Sequence, residues 1–273
     1  MSKVIVSLTT IPSRVAFLEK FLEGINAQTL QPDQIELNLP VAYTRRKLGV
    51  IARNLIPKEF KVFDCEDLGP ATKILPTIRR YEGTDTQIVY CDDDRLYDPN
   101  WLERLVEMNL KYPDACIAER TLPVRSRIAA RDHKKKNLVY RLRRAASFGL
   151  WRPLSTTSRV QAKIIEGFAG VLVRPEFFDE TVQNVPEDVV LVDDVWLSAN
   201  LVLNNVPILN SHADHRDGLV SRPILDGDRD IGEVFDGLIN ISDPTNNRTE
   251  ADFRAIKYVI RNLGVWNEYS KFV

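Results

Sequence analysis

Apolar and polar residues change period several times along the first 120 positions, and each change predicts an element. Val4 to Leu8 is a short β-branched run that reads as a strand. Val15 to Ala27 then sets Phe17, Leu18, Phe21, Leu22 and Ile25 at helical spacing. Gln34 to Leu39 reads as a second strand, stopped by Pro40. Residues 45–55 are weakly helical, and Phe60 to Phe63 is a third strand. Ala71 to Tyr81 is a helix with Pro76 inside it, and Gln87 to Cys91 is a fourth strand. Asp98-Pro99-Asn100 opens a helix over Trp101 to Leu110, with Asp98 placed to cap it and Pro99 in its first turn, where a missing N–H costs nothing. Strands that alternate with helices predict an α/β fold, with a mostly parallel central sheet flanked by helices on both faces. Right-handed crossovers put the carboxyl ends of such strands along one edge, where ligands bind.

Further on the pattern is less regular. Residues 188–203, DVVLVDDVWLSANLVL, combine a strand-like start with a helix, and Val206 to Leu209 is a second apolar run. Residues 216–248 are rich in Asp and Gly and read as loops closing over a site. Ala251 to Leu263 places Phe253, Ile256, Val259 and Ile260 at helical spacing, as a packing helix does.

Composition narrows the function classes. The chain has 273 residues, 44% of them hydrophobic, with 37 basic against 38 acidic side chains, so it folds around a sizeable core and has no whole-molecule attraction to nucleic acid. No window approaches the roughly 18 apolar residues of a membrane-spanning helix. The start, MSKVIVSLTT, enters a patterned strand without a signal-peptide pattern, and Cys65, Cys91 and Cys116 show no metal-ligand spacing. Both features predict a cytoplasmic protein.

The candidate chemistry starts at Asp92, Asp93 and Asp94, which follow the fourth strand. Three adjacent carboxylates repel one another, and each raises the energy of the others. Aspartates at a strand end can cap the next turn. A divalent cation offers the other explanation, since Mg²⁺ or Mn²⁺ takes carboxylate oxygens and keeps positions open for phosphate. Side chains alternate in an extended stretch, so Asp92 and Asp94 converge on one site while Asp93 points away.

With Pro99 and an apolar helix behind it, and an N-terminal strand, loop and helix ahead of it, Asp92-x-Asp94 resembles the metal-binding DxD motif of GT-A fold glycosyltransferases. Three more segments carry the resemblance over about residues 3–215. IVSLTTIPSR resembles the first strand and donor-binding loop, IEGFAGVLVRPEFF (165–178) the stretch shaping the acceptor side, and VDDVWLSANLV (192–202) the late acidic pair at a helix start. The wording is nearest to exostosin-type and family 2-like members. It departs from family 2 in QIELNLPV, which lacks the aspartate that often contacts the base after the second strand.

The resemblance implies a Rossmann-like nucleotide-diphospho-sugar transferase that moves a sugar from a nucleotide-diphosphate donor to a hydroxyl acceptor, a glycan or a lipid-linked saccharide, with Mn²⁺ or Mg²⁺ as cofactor. It implies a catalytic domain over residues 1–215, divided into a nucleotide-sugar-binding half (1–120), a basic loop or amphipathic insertion (121–160) and an acceptor-side half (161–215). Residues 216–273 follow as loops and a packing helix. Asp92 and Asp94 are the implied metal ligands. His212 or His215, beside Asp214, supplies the late metal ligand of many such enzymes or is an ordinary surface histidine. Asp194 is the implied base that takes the acceptor's proton, with Asp193 as neighbour or cap; the alternative is a purely structural pair.

Around the donor, Thr9, Thr10 and Arg14 offer hydroxyls and a guanidinium, with Asp92 and Asp93 beside them. Alternatively Ser13 caps a helix and Arg14 is a surface charge. Asp67-Leu68-Gly69-Pro70 turns into the helix that carries Lys73. A cation one turn into a helix is unfavourable near the positive end of the dipole unless an anion is present, so Lys73 contacts the diphosphate or sugar, or else is an exposed lysine.

Residues 125–159 hold eleven basic side chains and one acid, net +10 in a protein of net −1. This stretch fits peripheral contact with anionic membrane on the inner face of the cell membrane, a solvated loop, or a lid over an anionic acceptor. Two other functions use the same residues. A haloacid-dehalogenase-like phosphatase has Asp92-x-Asp94, Lys163 and Asp193-Asp194 in its nucleophile, lysine, acidic-pair order. A polybasic membrane- or nucleic-acid-binding module explains only residues 125–159.

Overall fold

The computed structural model describes residues 2–43, 48–135, 163–211, 221–234 and 248–273. Its centre is a seven-stranded sheet built from β1 (Val4–Leu8), β2 (Gln34–Pro40), β3 (Phe60–Cys65), β4 (Gln87–Tyr90), β6 (Cys116–Ala118), β9 (Val171–Val173) and β10 (Ile208–Asn210). The order across the sheet is β10-β6-β9-β4-β1-β2-β3. β9 runs antiparallel to β4 and β6, and the other pairings are parallel. The protein is thus a mixed α/β fold around a mostly parallel sheet, as the alternating periods predict.

Alternation along β1 divides the two cores. Val4, Val6 and Leu8 face one side with Leu37, Leu39 and Val89, where α1 (Leu18–Asn26) and α3 (Trp101–Lys111) cover them. In α1, Leu18, Phe21, Leu22 and Ile25 are all buried, each worth about 1.5–3 kcal/mol against exposure. Ile88, Tyr90, Val171 and Val173 face the opposite side, under α2 (Leu75–Arg80), α5 (Asp193–Leu203) and α7 (Arg248–Tyr258).

On that second side the sheet also buries polar groups, and these position the site. Ser7 Oγ donates to the Lys73 carbonyl at 2.6 Å and meets Thr77 Oγ1 at 2.8 Å. Asn38 Nδ2 donates to the same Thr77 oxygen at 2.8 Å. The buried Glu36 carboxylate is held by Arg80 and by Tyr81, whose hydroxyl donates to Oε1 at 2.6 Å. Every member has a partner, so the network fixes the turn before α2 against β1 and β2.

Several elements differ from the sequence expectation. The helix expected over residues 45–55 reduces to one 3₁₀ turn, Arg53–Leu55, with residues 44–47 outside the described residues. The expected 71–81 helix is two pieces, a 3₁₀ turn Gly69–Lys73 and α2. They are broken at Ile74 (φ −134°, ψ −44°), just ahead of Pro76, which has no N–H to continue a helix through it. Asp98 does not cap α3. Its Oδ1 accepts from the Asn100 backbone N–H at 3.1 Å and its carboxylate pairs with Arg104, so Asn100 becomes the N-cap and Pro99 falls before the first turn. Residues 187–191 are turns, not a strand, and Val189 packs into the helical core. Within 216–248 the described part is ordered: β11 (Ser221–Pro223) pairs with β5 (Arg95–Tyr97), and the hairpin of β12 (Leu225–Asp226) and β13 (Arg229–Asp230) leads into the short α6 (Ile231–Val234). The predicted C-terminal helix is present as α7, extended by a π turn over Val259–Leu263. Among the described residues no helix is long and apolar enough to cross a membrane.

The remaining short elements are β7 (Thr121–Pro123), which pairs with β8 (Lys163–Ile165), and α4 (Val124–Lys135), which packs on α7. Residues 136–159 of the basic segment lie outside the described residues, as do His212 and His215. In the part that is described, Arg127 is no lipid-facing charge. It pairs with Asp252 at 2.7 Å and with Glu166 at 3.1 Å, at 11% exposure, and so belongs to the interior.

Candidate active site

The loops after β1, β2, β3 and β4 open on one cleft of about 520 Å³, within the range of small-ligand sites. It lies at the carboxyl ends of the parallel strands, as expected for such a sheet. Thr9, Thr10 and Arg14 reach it from β1, Asp67 to Lys73 from β3, and Asp92 to Arg95 from β4. Glu166, Phe168, Asp193 and Asp194 close the far wall, with Arg127, Asp230, Gly232 and Arg248.

The acidic trio is a turn rather than an extended stretch, because β4 ends at Tyr90 and β5 begins at Arg95. All three carboxylates therefore line the cleft, with different partners. Asp92 Oδ1 accepts from Lys73 Nζ at 2.7 Å. Asp93 accepts from Thr10 Oγ1 at 2.6 Å and from Arg14 at 2.9 Å, and Arg14 reaches Asp94 Oδ2 at 3.1 Å. Burial works against the charge on Asp92, but Lys73, with Arg14 and Arg248 behind it, holds that carboxyl below its usual range. Asp94 gains less. Burial and the neighbouring Asp92 push it up to about 7 despite Arg14. The turn thus carries one negative charge more than its cations balance.

The second acidic cluster begins α5. Neither Asp193 nor Asp194 caps the helix with its side chain, which corrects the expected capping role. Asp194 Oδ1 instead accepts from the Gly167 backbone N–H at 2.8 Å. Gly167 is tightly enclosed, since a Cβ there would stand 3.0 Å from Asp194 Oδ1, Lys73 Nζ and the Tyr90 ring. The 166–170 turn is itself pinned, with Trp101 Nε1 donating to the Ala169 carbonyl at 2.9 Å and the Tyr97 hydroxyl to the Phe168 carbonyl at 2.9 Å. Burial first, and Asp193 second, push Asp194 up to about 7. Lys73 Nζ lies 3.1 Å from Asp193 Oδ2, at ion-pair distance without hydrogen-bond geometry, so one ammonium spans both clusters.

The structure therefore brings Thr10, Arg14, Lys73, Asp92, Asp93, Asp94, Asp193 and Asp194 into one site. Thr9 also lines the cleft, although its hydroxyl is spent on the Asn38 carbonyl at 2.8 Å. Arg14 is no surface charge: its side chain is 12% exposed, and it is bound to two of the three aspartates. Lys73 ends a five-residue 3₁₀ turn, so no helix dipole acts on it, and its anions are protein carboxylates. Lys163 is elsewhere, with Nζ on Asn210 Oδ1 at 3.3 Å, and it is not among the cleft-lining residues. This separates it from Asp92 and removes the lysine that the phosphatase reading needs.

Several residues of the cleft carried no sequence signal. Arg95 stacks its guanidinium 4.8 Å from the Phe168 ring centre. Arg248, at the start of α7, stands 3.9 Å from Asp194 Oδ2 and 3.9 Å from Asp252 Oδ1. Gly232 is fixed by contact, because a Cβ there would lie 2.4 Å from Asp94 Oδ2.

Asp92 and Asp94 suit a hard divalent cation. Both present carboxylate oxygens to the cleft, and a cation shared between them would offset the repulsion from Asp92 that, after burial, pushes Asp94 up. Among the described residues no group of three or more His, Cys, Asp or Glu side chains is set as a metal site, so a bound ion would complete its shell with phosphate oxygens and water.

No family model matches the sequence, and no curated protein matches it. Solved structures similar in fold include the mannosyltransferase PcManGT from Pyrobaculum calidifontis in complex with GDP-Man and Mn²⁺, at 15% identity and a TM-score of 0.44 over 76% of this chain and 54% of that one. Others are S. aureus TarS (13% identity, TM-score 0.43, 78% of this chain and 36% of that) and S. aureus TarS 1-349 in complex with UDP (15%, 0.45, 99% and 75%). The chain spans about half the length of the mannosyltransferase it matches. The likeness is loose, and the α/β class stands on the sheet topology itself.

Proposed function

We propose that the chain is a metal-dependent glycosyltransferase, moving a sugar from a nucleotide-diphosphate donor to a hydroxyl of a glycan or lipid-linked acceptor. One observation carries this reading: two acidic clusters face one cleft and are joined by the single ammonium of Lys73. Asp92 and Asp94 would hold Mn²⁺ or Mg²⁺, which when bound supplies positive charge against the donor's diphosphate. Asp93 has a different task, since with Thr10 and Arg14 it ties the β1 loop to the acidic turn.

Transfer needs a base and charge stabilisation. Asp194 suits the base because its carboxyl, pushed up to about 7, is balanced between holding and releasing a proton near neutral pH. With Oδ1 on the Gly167 N–H, Oδ2 is left to accept the proton of the acceptor hydroxyl. As that oxygen bonds to the anomeric carbon, the bond from this carbon to the diphosphate breaks, and the electron pair leaves with the diphosphate. Asp194 is only 4% exposed, and this low exposure strengthens each charge interaction around it. Membrane contact through residues 125–159 is part of the proposal only without Arg127, whose charge is already paired.

The test is release of nucleoside diphosphate from a panel of UDP- and GDP-sugars in Mn²⁺. Release by the wild type that stops in excess chelator and falls at least about a hundredfold in Asp194→Asn is the expected result. Release unchanged by chelator would remove the metal, and no release from any donor would remove the function.

A further inference from the structure

Sequence alone singles out Arg14 and Lys73 as donor-binding cations, yet both are committed to the protein. Arg14 is divided between Asp93 and Asp94, and Lys73 between Asp92 and Asp193. Arg127 is likewise held by Asp252 and Glu166. Two cations of the cleft are different. Among the described residues Arg95 makes no hydrogen bond or ion pair and rests only on the Phe168 ring. Arg248 approaches carboxylate oxygens no closer than 3.9 Å, outside hydrogen-bond distance, and its side chain is 38% exposed. One of those oxygens, Asp252 Oδ1, is itself buried and without a hydrogen-bond partner, although its residue is only 5% exposed.

The placement of the two suits an anion between the clusters. Both line the cleft, Arg95 directly after Asp94 at the end of the acidic turn and Arg248 3.9 Å from Asp194 Oδ2 in the other cluster. A guanidinium offers five N–H donors in a planar fork that matches phosphate oxygens, and a cleft that leaves two such forks unspent has capacity for an anionic ligand. Resting on the glycosyltransferase reading, we infer that Arg95 and Arg248 are the side chains that bind the donor's diphosphate, while Arg14 and Lys73 hold the acidic residues in place. Arg248 enters from α7, far along the chain, so the C-terminal helix completes the donor site. The Phe168 ring, 4.8 Å away, fixes the Arg95 guanidinium within the cleft.

Calorimetric titration of the full chain with UDP, GDP and UMP in MnCl₂ tests the assignment. The wild type binds a diphosphate. Arg248→Ala and Arg95→Ala each raise its Kd about ten- to a hundredfold, the loss of one or two charge-assisted hydrogen bonds. Arg248→Lys loses less than Arg248→Ala, UMP loses less than UDP, and Arg79→Ala, on an exposed site of α2, binds as the wild type. If Arg248→Ala melts early, Arg248→Lys and Arg95→Ala decide the matter. Wild-type affinity in both alanine variants overturns the inference and leaves the glycosyltransferase reading intact. A wild type that binds no diphosphate overturns both.

Discussion

The two acidic clusters solve the same electrostatic problem in different ways. In the turn after β4, side-chain cations do the work: Lys73 takes Asp92, and Arg14 is divided between Asp93 and Asp94. At the start of α5 Lys73 serves Asp193, while the one hydrogen bond to the Asp194 carboxylate comes from a backbone N–H, that of Gly167, with Arg248 3.9 Å away. Each arrangement leaves one carboxyl, Asp94 or Asp194, pushed up to about 7. The first sets Asp94 beside Asp92 on the cleft, where two carboxylates can share an ion, and the second leaves Asp194 Oδ2 without a hydrogen bond, as a base requires. Similar residue types thus acquire different chemistry from whether side chains or main chain answer them.

Removing the group the clusters share should have the largest effect. Lys73→Met leaves Asp92 and Asp193 buried without their cation, and unfolding in denaturant should show a loss of about 3–5 kcal/mol together with loss of activity. A loss below about 1 kcal/mol would mean that the clusters are independent. Next, Asp194→Asn should lower kcat by about 10²–10⁴ while leaving the melting temperature unchanged or raised, since it removes a buried charge that is poorly answered. Gly232→Ala tests the other cluster. Its Cβ would stand 2.4 Å from Asp94 Oδ2, so a cost of about 1–3 kcal/mol and weaker Mn²⁺ affinity in a titration are expected.

In pH dependence one carboxyl of each cluster, Asp94 and Asp194, acts in the same direction, and Asp92 acts in the other. Asp194 rises from its ordinary 3.8 to about 7, so the folded chain keeps a proton the unfolded chain gives up, and this group withdraws stability as pH rises from about 4 to about 7. Asp92 is lowered, so its contribution is present above its ordinary value and is lost only as pH falls below that value. Denaturant midpoints across pH 4–8 should fall for the wild type and fall less for Asp194→Asn. Turnover should rise with pH through about 7.

Where a segment was long enough to show a period, it was legible. The strands near residues 4, 34 and 60 and the helices near 18 and 101 follow their apolar spacing. β6, β9 and β10 have three residues each, too few for alternation to be distinguished from a turn. The aspartates of the site were legible because adjacent carboxylates are costly wherever they fall. Their partners were not, since Arg14 meets Asp93, and Arg248 meets Asp194, only through the fold. The helix-dipole premise used for Lys73 does not hold, for a local reason: Pro76 and the break at Ile74 leave it in a 3₁₀ turn. Gly167 and Gly232 were invisible as site residues, because their requirement is set by atoms of distant segments.

Thermal unfolding with UDP or GDP, in Mn²⁺ and again in chelator, tests the central claim most directly. A nucleoside diphosphate that binds the folded chain through the acidic turn should raise the melting temperature with Mn²⁺ present, progressively with concentration, and should have little effect in chelator. An unchanged melting temperature with every diphosphate, with and without the ion, would contradict the account.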